Sequence, residues 1–152
     1  MVATAYLPLV NAIISTMSAA SGLESVRVFD GPAIDESYPG SFLAVGHDGS
    51  DDGDVTSGNG GQQYLELGNR KQFEDGSVNC WLVAWSGDTN VSTQRSLALG
   101  YLSAIDTALR ADPSFGGACL YSSIDNWSVQ YRQTNAGVVC HIPFQITYRA
   151  RT

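Results

Sequence analysis

The stretch Ser77-Val78-Asn79-Cys80-Trp81-Leu82-Val83-Ala84-Trp85 decides the fold, because it is apolar on both of its faces. Side chains alternate across a strand, which puts Val78, Cys80, Leu82 and Ala84 on one side and Asn79, Trp81, Val83 and Trp85 on the other. An antiparallel strand with one wet face alternates apolar with polar, and this one does not. The stretch therefore predicts a strand covered twice, by helices over the small Cys80 and Ala84 and by something else over the two tryptophans.

The flanking sequence supplies the helices. Leu7, Val10, Ile14 and Met17 recur at helical spacing, with Pro8 tolerable in the first turn and Gly22 closing the segment. After the strand, Ser86 to Asn90 is rich in capping residues, and Ala98, Tyr101, Leu102, Ile105, Ala108 and Leu109 form one stripe of a longer helix. Asp112-Pro113 ends it. Shorter strands are expected at Ser25–Phe29, before the Asp30-Gly31-Pro32 turn, at Ser41–Val45 and at Gln62–Gly68. Asp75-Gly76 reads as a turn that starts the central strand afresh.

The C-terminal third predicts a long hairpin. Ala118 to Arg132 alternates with a possible bulge near Ser122–Ser123, Gln133 to Gly137 makes the loop, and Val138 to Tyr148 holds one apolar face. Pro143 cannot donate to a ladder, so the last strand should be an edge or have a gap in its pairing. The order predicts a single α+β domain over residues 1–152: a mainly antiparallel or mixed sheet with two helices on one face.

Between the early strands, residues 46–61 read GHDGSDDGDVTSGNGG, with six glycines, four aspartates and only Val55 to bury. Such a segment does not repay its ordering entropy and is expected to be a flexible acidic loop. Asp48, Asp51, Asp52 and Asp54 suggest a hard cation, but the twelfth residue from Asp48 is Asn59, where an EF-hand needs glutamate.

Composition narrows the function. A net charge of −7 argues against a grip on nucleic-acid phosphates, and a charged fraction of only 15% suggests a surface that something else covers. Cys80, Cys119 and Cys140 form no zinc pattern and are expected in the core, with a Cys119–Cys140 pair left open. The first positive side chain is Arg27, so no secretory n-region is expected, and the early apolar stretch is too short to span a bilayer. No nucleophile elbow, P-loop or dinucleotide fingerprint occurs, and no catalytic residue, cofactor or metal is expected. His47 and His141 show no orienting partner by spacing. Trp81 and Trp85 are candidate subunit-interface aromatics, and the adjacent pair Arg70 and Lys71 is a candidate contact for a partner's carboxylates.

The chain resembles the tail terminator (tail completion) proteins of long, non-contractile-tailed bacteriophages, especially those infecting actinobacteria. Four pieces carry the likeness in order: the N-terminal helix, Val28-Phe29-Asp30-Gly31-Pro32, Val78 to Asp88 leading into the long helix, and Phe144-Gln145-Ile146-Thr147-Tyr148. The resemblance implies a non-enzymatic virion protein, assembled in the host cytoplasm and placed at the neck between head and tail. It implies a homohexameric ring on the head-proximal end of the tail tube, stopping polymerisation and joining the head. The implied partners are copies of itself, the major tail tube protein, the head-side connector or stopper and the tape measure protein. DNA would pass through the lumen, with Asp48, Asp51, Asp52 and Asp54 facing it. Rival readings are another neck subunit, a small α+β hydrolase using His141 or His47 with an aspartate, and a calcium-tuned binding module.

Overall fold

The computed structural model describes residues 3–31, 40–50, 54–65, 68, 70–85, 89–134 and 137–152. Helix α1 (Tyr6–Ser18) is followed by strands β1 (Arg27–Asp30), β2 (Phe42–Val45), β3 (Gly58–Tyr64) and β4 (Gln72–Ala84). Helix α2 (Val91–Ala111) then leads to β5 (Tyr121–Asp125), β6 (Gln130–Thr134) and β7 (Gly137–Arg151). Seven strands form one mixed sheet, with β1 parallel to β2 and every other pairing antiparallel. The expected α+β class, with two helices and a mixed sheet, is the observed one.

Both helices lie against one face. Leu9, Ile13 and Met17 of α1 and Ala98, Ile105 and Leu109 of α2 join Val78, Cys80, Leu82 and Ala84 of β4 in one apolar cluster. Cys140, Ile142, Phe144, Ile146 and Tyr148 extend it along β7, where buried and half-buried residues alternate without a break. Pro8 occupies the first turn of α1. Asn90 caps α2 by accepting from the Ser92 and Thr93 N–H groups, at 3.0 and 3.4 Å.

Several expectations are corrected. Asp75-Gly76 is no turn: both residues lie inside β4, where Gly76 pairs with Tyr148 on one side and Gly60 on the other. A Cβ on Gly76 would sit 2.7 Å from Tyr148 Oη and from the Asn59 carbonyl, so the glycine is there to let the tyrosine cross the strand. The second correction concerns β7, which is interior rather than an edge. Its outer flank is split between β6, paired up to His141, and β5, paired from Gln145, and Pro143 falls in the gap. Ser128 donates to the Pro143 carbonyl at 3.2 Å, so the proline nitrogen faces that gap and no ladder bond is lost. The third is the expected bulge: the interruption falls after Asp125, where Asn126 adopts φ 47°, and not at Ser122–Ser123.

The cysteines are buried and unpaired, so no Cys119–Cys140 bridge forms. Cys140 lies across from Ala84 and Tyr131, whereas Cys119 sits in the turn before β5 with its Sγ 3.5 Å from the Pro113 carbonyl. Residues 58–61, expected in the acidic loop, form the start of β3. Asp51 and Asp52 lie outside the described residues.

Candidate functional site: the helix-free face of the sheet

No described helix covers the second face, and its two ends differ in chemistry. Parity and register put Phe29, Phe42, Trp81, Val83 and His141 at one end. Ser77, Thr147, Ser123, Asp75 and Arg149 lie at the other.

The aromatic end is built around Trp81. Phe42 meets its ring edge-on at 5.4 Å, Phe29 meets Phe42 at 5.7 Å, and the Arg27 guanidinium lies 4.8 Å over Phe29. His47 stacks on Trp81 with centroids 5.0 Å apart. The stack requires Gly49, which has φ +82° and leaves only 3.1 Å between a built Cβ and Trp81. The acidic loop thus begins by folding over the tryptophan, which is part of the cover that the sequence demanded. Both histidines are committed at Nδ1: Gly49 N–H donates to His47 at 2.8 Å, and Trp81 Nε1–H donates to His141 at 3.3 Å. A neutral ring that accepts at Nδ1 carries its proton on Nε2.

Asn79 is the hub between the two ends, at the point where β4 exchanges β3 for β2 as its neighbour. Its N–H donates to the Ser57 carbonyl at 2.9 Å, and its own carbonyl accepts from Gly46 and His47. Its side chain donates to the Thr56 carbonyl at 2.9 Å and accepts from Gln145 Nε2 at 3.0 Å. Asn126 Nδ2 in turn donates to Gln145 Oε1 at 3.1 Å. The Thr56 carbonyl can only accept, so it fixes the orientation of all three amides.

Of the expected lumenal aspartates, Asp48 is occupied within the loop, accepting from Ser50 N–H at 2.9 Å and Thr56 N–H at 3.1 Å. Burial pushes its carboxyl up, but these two donors and the adjacent His47 outweigh that and hold it below the usual range. Asp54 is exposed. Among the described residues no three His, Cys, Asp or Glu side chains gather as a metal site. Arg70 and Lys71 are exposed in the connection from β3 to β4. Ten residue steps of extended chain, about 33 Å, separate Lys71 from Trp81, so the candidate interface residues do not form one patch. Trp85 lies just past β4, its backbone N–H donating to Ser41 Oγ at 3.1 Å.

One buried group escaped the sequence reading. Glu74 lies on the helix side of β4 and accepts from Tyr148 Oη at 2.7 Å, Gln62 Nε2 at 2.8 Å and the Ala5 N–H at 3.1 Å. Burial pushes its carboxyl up, and the side-chain donors Thr4, Gln62 and Tyr148, with Ala5, more than reverse this. A carboxylate so fully engaged anchors the start of α1 rather than moving protons. Its alternation with Val78 and Cys80 was the available signal, obscured by reading Asp75-Gly76 as a turn. Cys80, pushed up to about 12 by burial, is no nucleophile at neutral pH.

No helix among the described residues is long and apolar enough to cross a membrane. No protein-family model matches the sequence, and no curated protein matches it. Among solved structures, the chain is similar to one described as the virion of a native gene transfer agent (GTA) particle, at 9% identity and a TM-score of 0.46. The superposition covers 95% of each chain.

Proposed function

We propose that this chain is a structural subunit of a bacteriophage virion, a tail terminator that closes into a hexameric ring on the head-proximal end of the tail tube. The observation that carries the reading is the helix-free face, with its half-buried aromatic end. Phe29, Phe42 and Trp81 there are neither sealed in the core nor dispersed. A face of this kind suits head-to-tail contact between identical subunits, which closes a ring by rotation. The resemblance in the order of sequence pieces supports the tail assignment.

In this mechanism each tube ring templates the next through a repeated surface. The terminator presents the matching surface toward the tube and a different one toward the head, so addition stops. Its partners are copies of itself, the tube protein and the head-side connector. The test adds purified chain to polymerising tail tube protein and measures tube length by electron microscopy. Arrest of growth, with density on one end only, is expected. Tubes that lengthen unaffected in a stoichiometric excess of the chain would overturn the reading.

A further inference from the structure

A groove runs along the helix-free face from the middle of the sheet, at Asn79 and Pro143, to its polar end, at Ser77 and Thr147. Two depressions, of about 430 and 540 Å³, share Asn126 and Gln145 and so run into one another. Trp127 borders the first and Tyr121 the second, 58% and 55% exposed respectively. Strand β5 runs from Tyr121 toward Trp127, about 13 Å over its four residue steps, with Trp127 two residues beyond its end.

The floor is the amide relay Asn126–Gln145–Asn79. Each amide nitrogen spends one hydrogen in the relay, so each retains a second N–H on a side chain whose direction is fixed. Asn126 holds φ 47° while remaining a non-glycine residue, and this left-handed turn ends β5 and swings Trp127 out of its line. Asp48 lines the first depression, Asp125 stands at the junction of the two beside Asn126, and Asp75 lines the second. The one arginine on this stretch, Arg149, is held by Asp75 through two bonds of 2.6 and 2.8 Å.

Hydroxyl-rich rings fit this pattern better than the alternatives do. Flat aromatic faces take the C–H face of a sugar, and amides and carboxylates take adjacent hydroxyls as donor and acceptor at once. Directed amides occupy the centre of the floor, whereas the centre of a protein–protein contact is depleted of such groups in favour of apolar side chains. The carboxylates, with Arg149 already neutralised, repel nucleic acids and anionic sugars. We propose that this groove binds a short, neutral oligosaccharide, clamped between Trp127 and Tyr121 over the amide relay. Sugar binding by the isolated chain is read separately from tube capping, so failure of the one is distinguishable from failure of the other.

The test titrates the full chain with cellotetraose, maltotetraose and chitotetraose in turn, following tryptophan fluorescence and amide chemical shifts. At least one should give saturable shifts centred on Asn126, Trp127 and Gln145. Trp127→Ala should weaken it roughly tenfold, as loss of one stacked ring implies. Asn126→Gly serves as the second variant, since glycine accepts the φ 47° turn and keeps the fold while removing one amide. It should weaken binding with an unchanged melting temperature. Absence of saturable shifts with all three sugars, binding undiminished in both variants, or stronger binding of a single-stranded oligonucleotide would each overturn the proposal.

Discussion

At the residue scale the clearest case is Glu74, a buried carboxylate that holds the start of α1 against β3 and β7. Its folded form sits below the ordinary value of 4.5, so its stabilisation is present above that value and is lost as pH falls through the lower, folded one. Glu74→Gln should cost about 1.5–3 kcal/mol at pH 7, the scale of hydrogen bonds to a charged group. The gap between wild type and variant should narrow on acidification through the carboxylate range. Urea unfolding at neutral and acidic pH checks both points, and a gap independent of pH would contradict the assignment. Gly76→Ala, with a tyrosine hydroxyl and a backbone carbonyl both 2.7 Å from the new carbon, should cost roughly 1–3 kcal/mol. Gly61→Ala, with nothing within 4 Å, is its near-neutral control by thermal melting. None of this was visible beforehand. A glutamate next to Asp-Gly carries the local signature of a turn, and only the crossing of Tyr148 over Gly76 shows why the glycine belongs in a strand.

At the element scale the helices were legible because their periodicity and caps are local. Asn90→Ala removes the α2 cap and should lower stability by about 0.5–2 kcal/mol in denaturant melts. The two-sided apolar pattern of Ser77–Trp85 likewise identified the central strand, since it follows from the pleat alone. What escaped were features set by pairing partners. Pro143 announced a break in pairing but not whether the break lay at an edge or between two partners, because that depends on where β5 and β6 end. Pro143→Ala restores an N–H into the gap and should change the melting free energy by less than about 1 kcal/mol, whereas a proline at a conflicting ladder position would be improved markedly. Composition alone makes residues 46–61 a single loop. Residues 58–61 nevertheless join β3, since β4 extends far enough to pair with them.

At the scale of the whole molecule, the sequence showed that something must cover Trp81 and left open what that was. Part of the cover is local, from His47 and Gly49, and part of the aromatic surface remains half-buried. The histidines, which spacing left without partners, meet on either side of that tryptophan through contacts 34 and 60 residues apart in sequence, beyond the reach of any motif. If the remaining surface closes a ring, Phe29→Ser at its margin should leave the monomer folded, by circular dichroism, and shift the assembly toward single chains of 16.2 kDa in light scattering. The most direct measurement is electron microscopy of intact particles carrying a gold-labelled copy of this chain. The account predicts gold confined to the junction of head and tail. Gold distributed along the tail, at its distal tip, or absent from purified particles would contradict it.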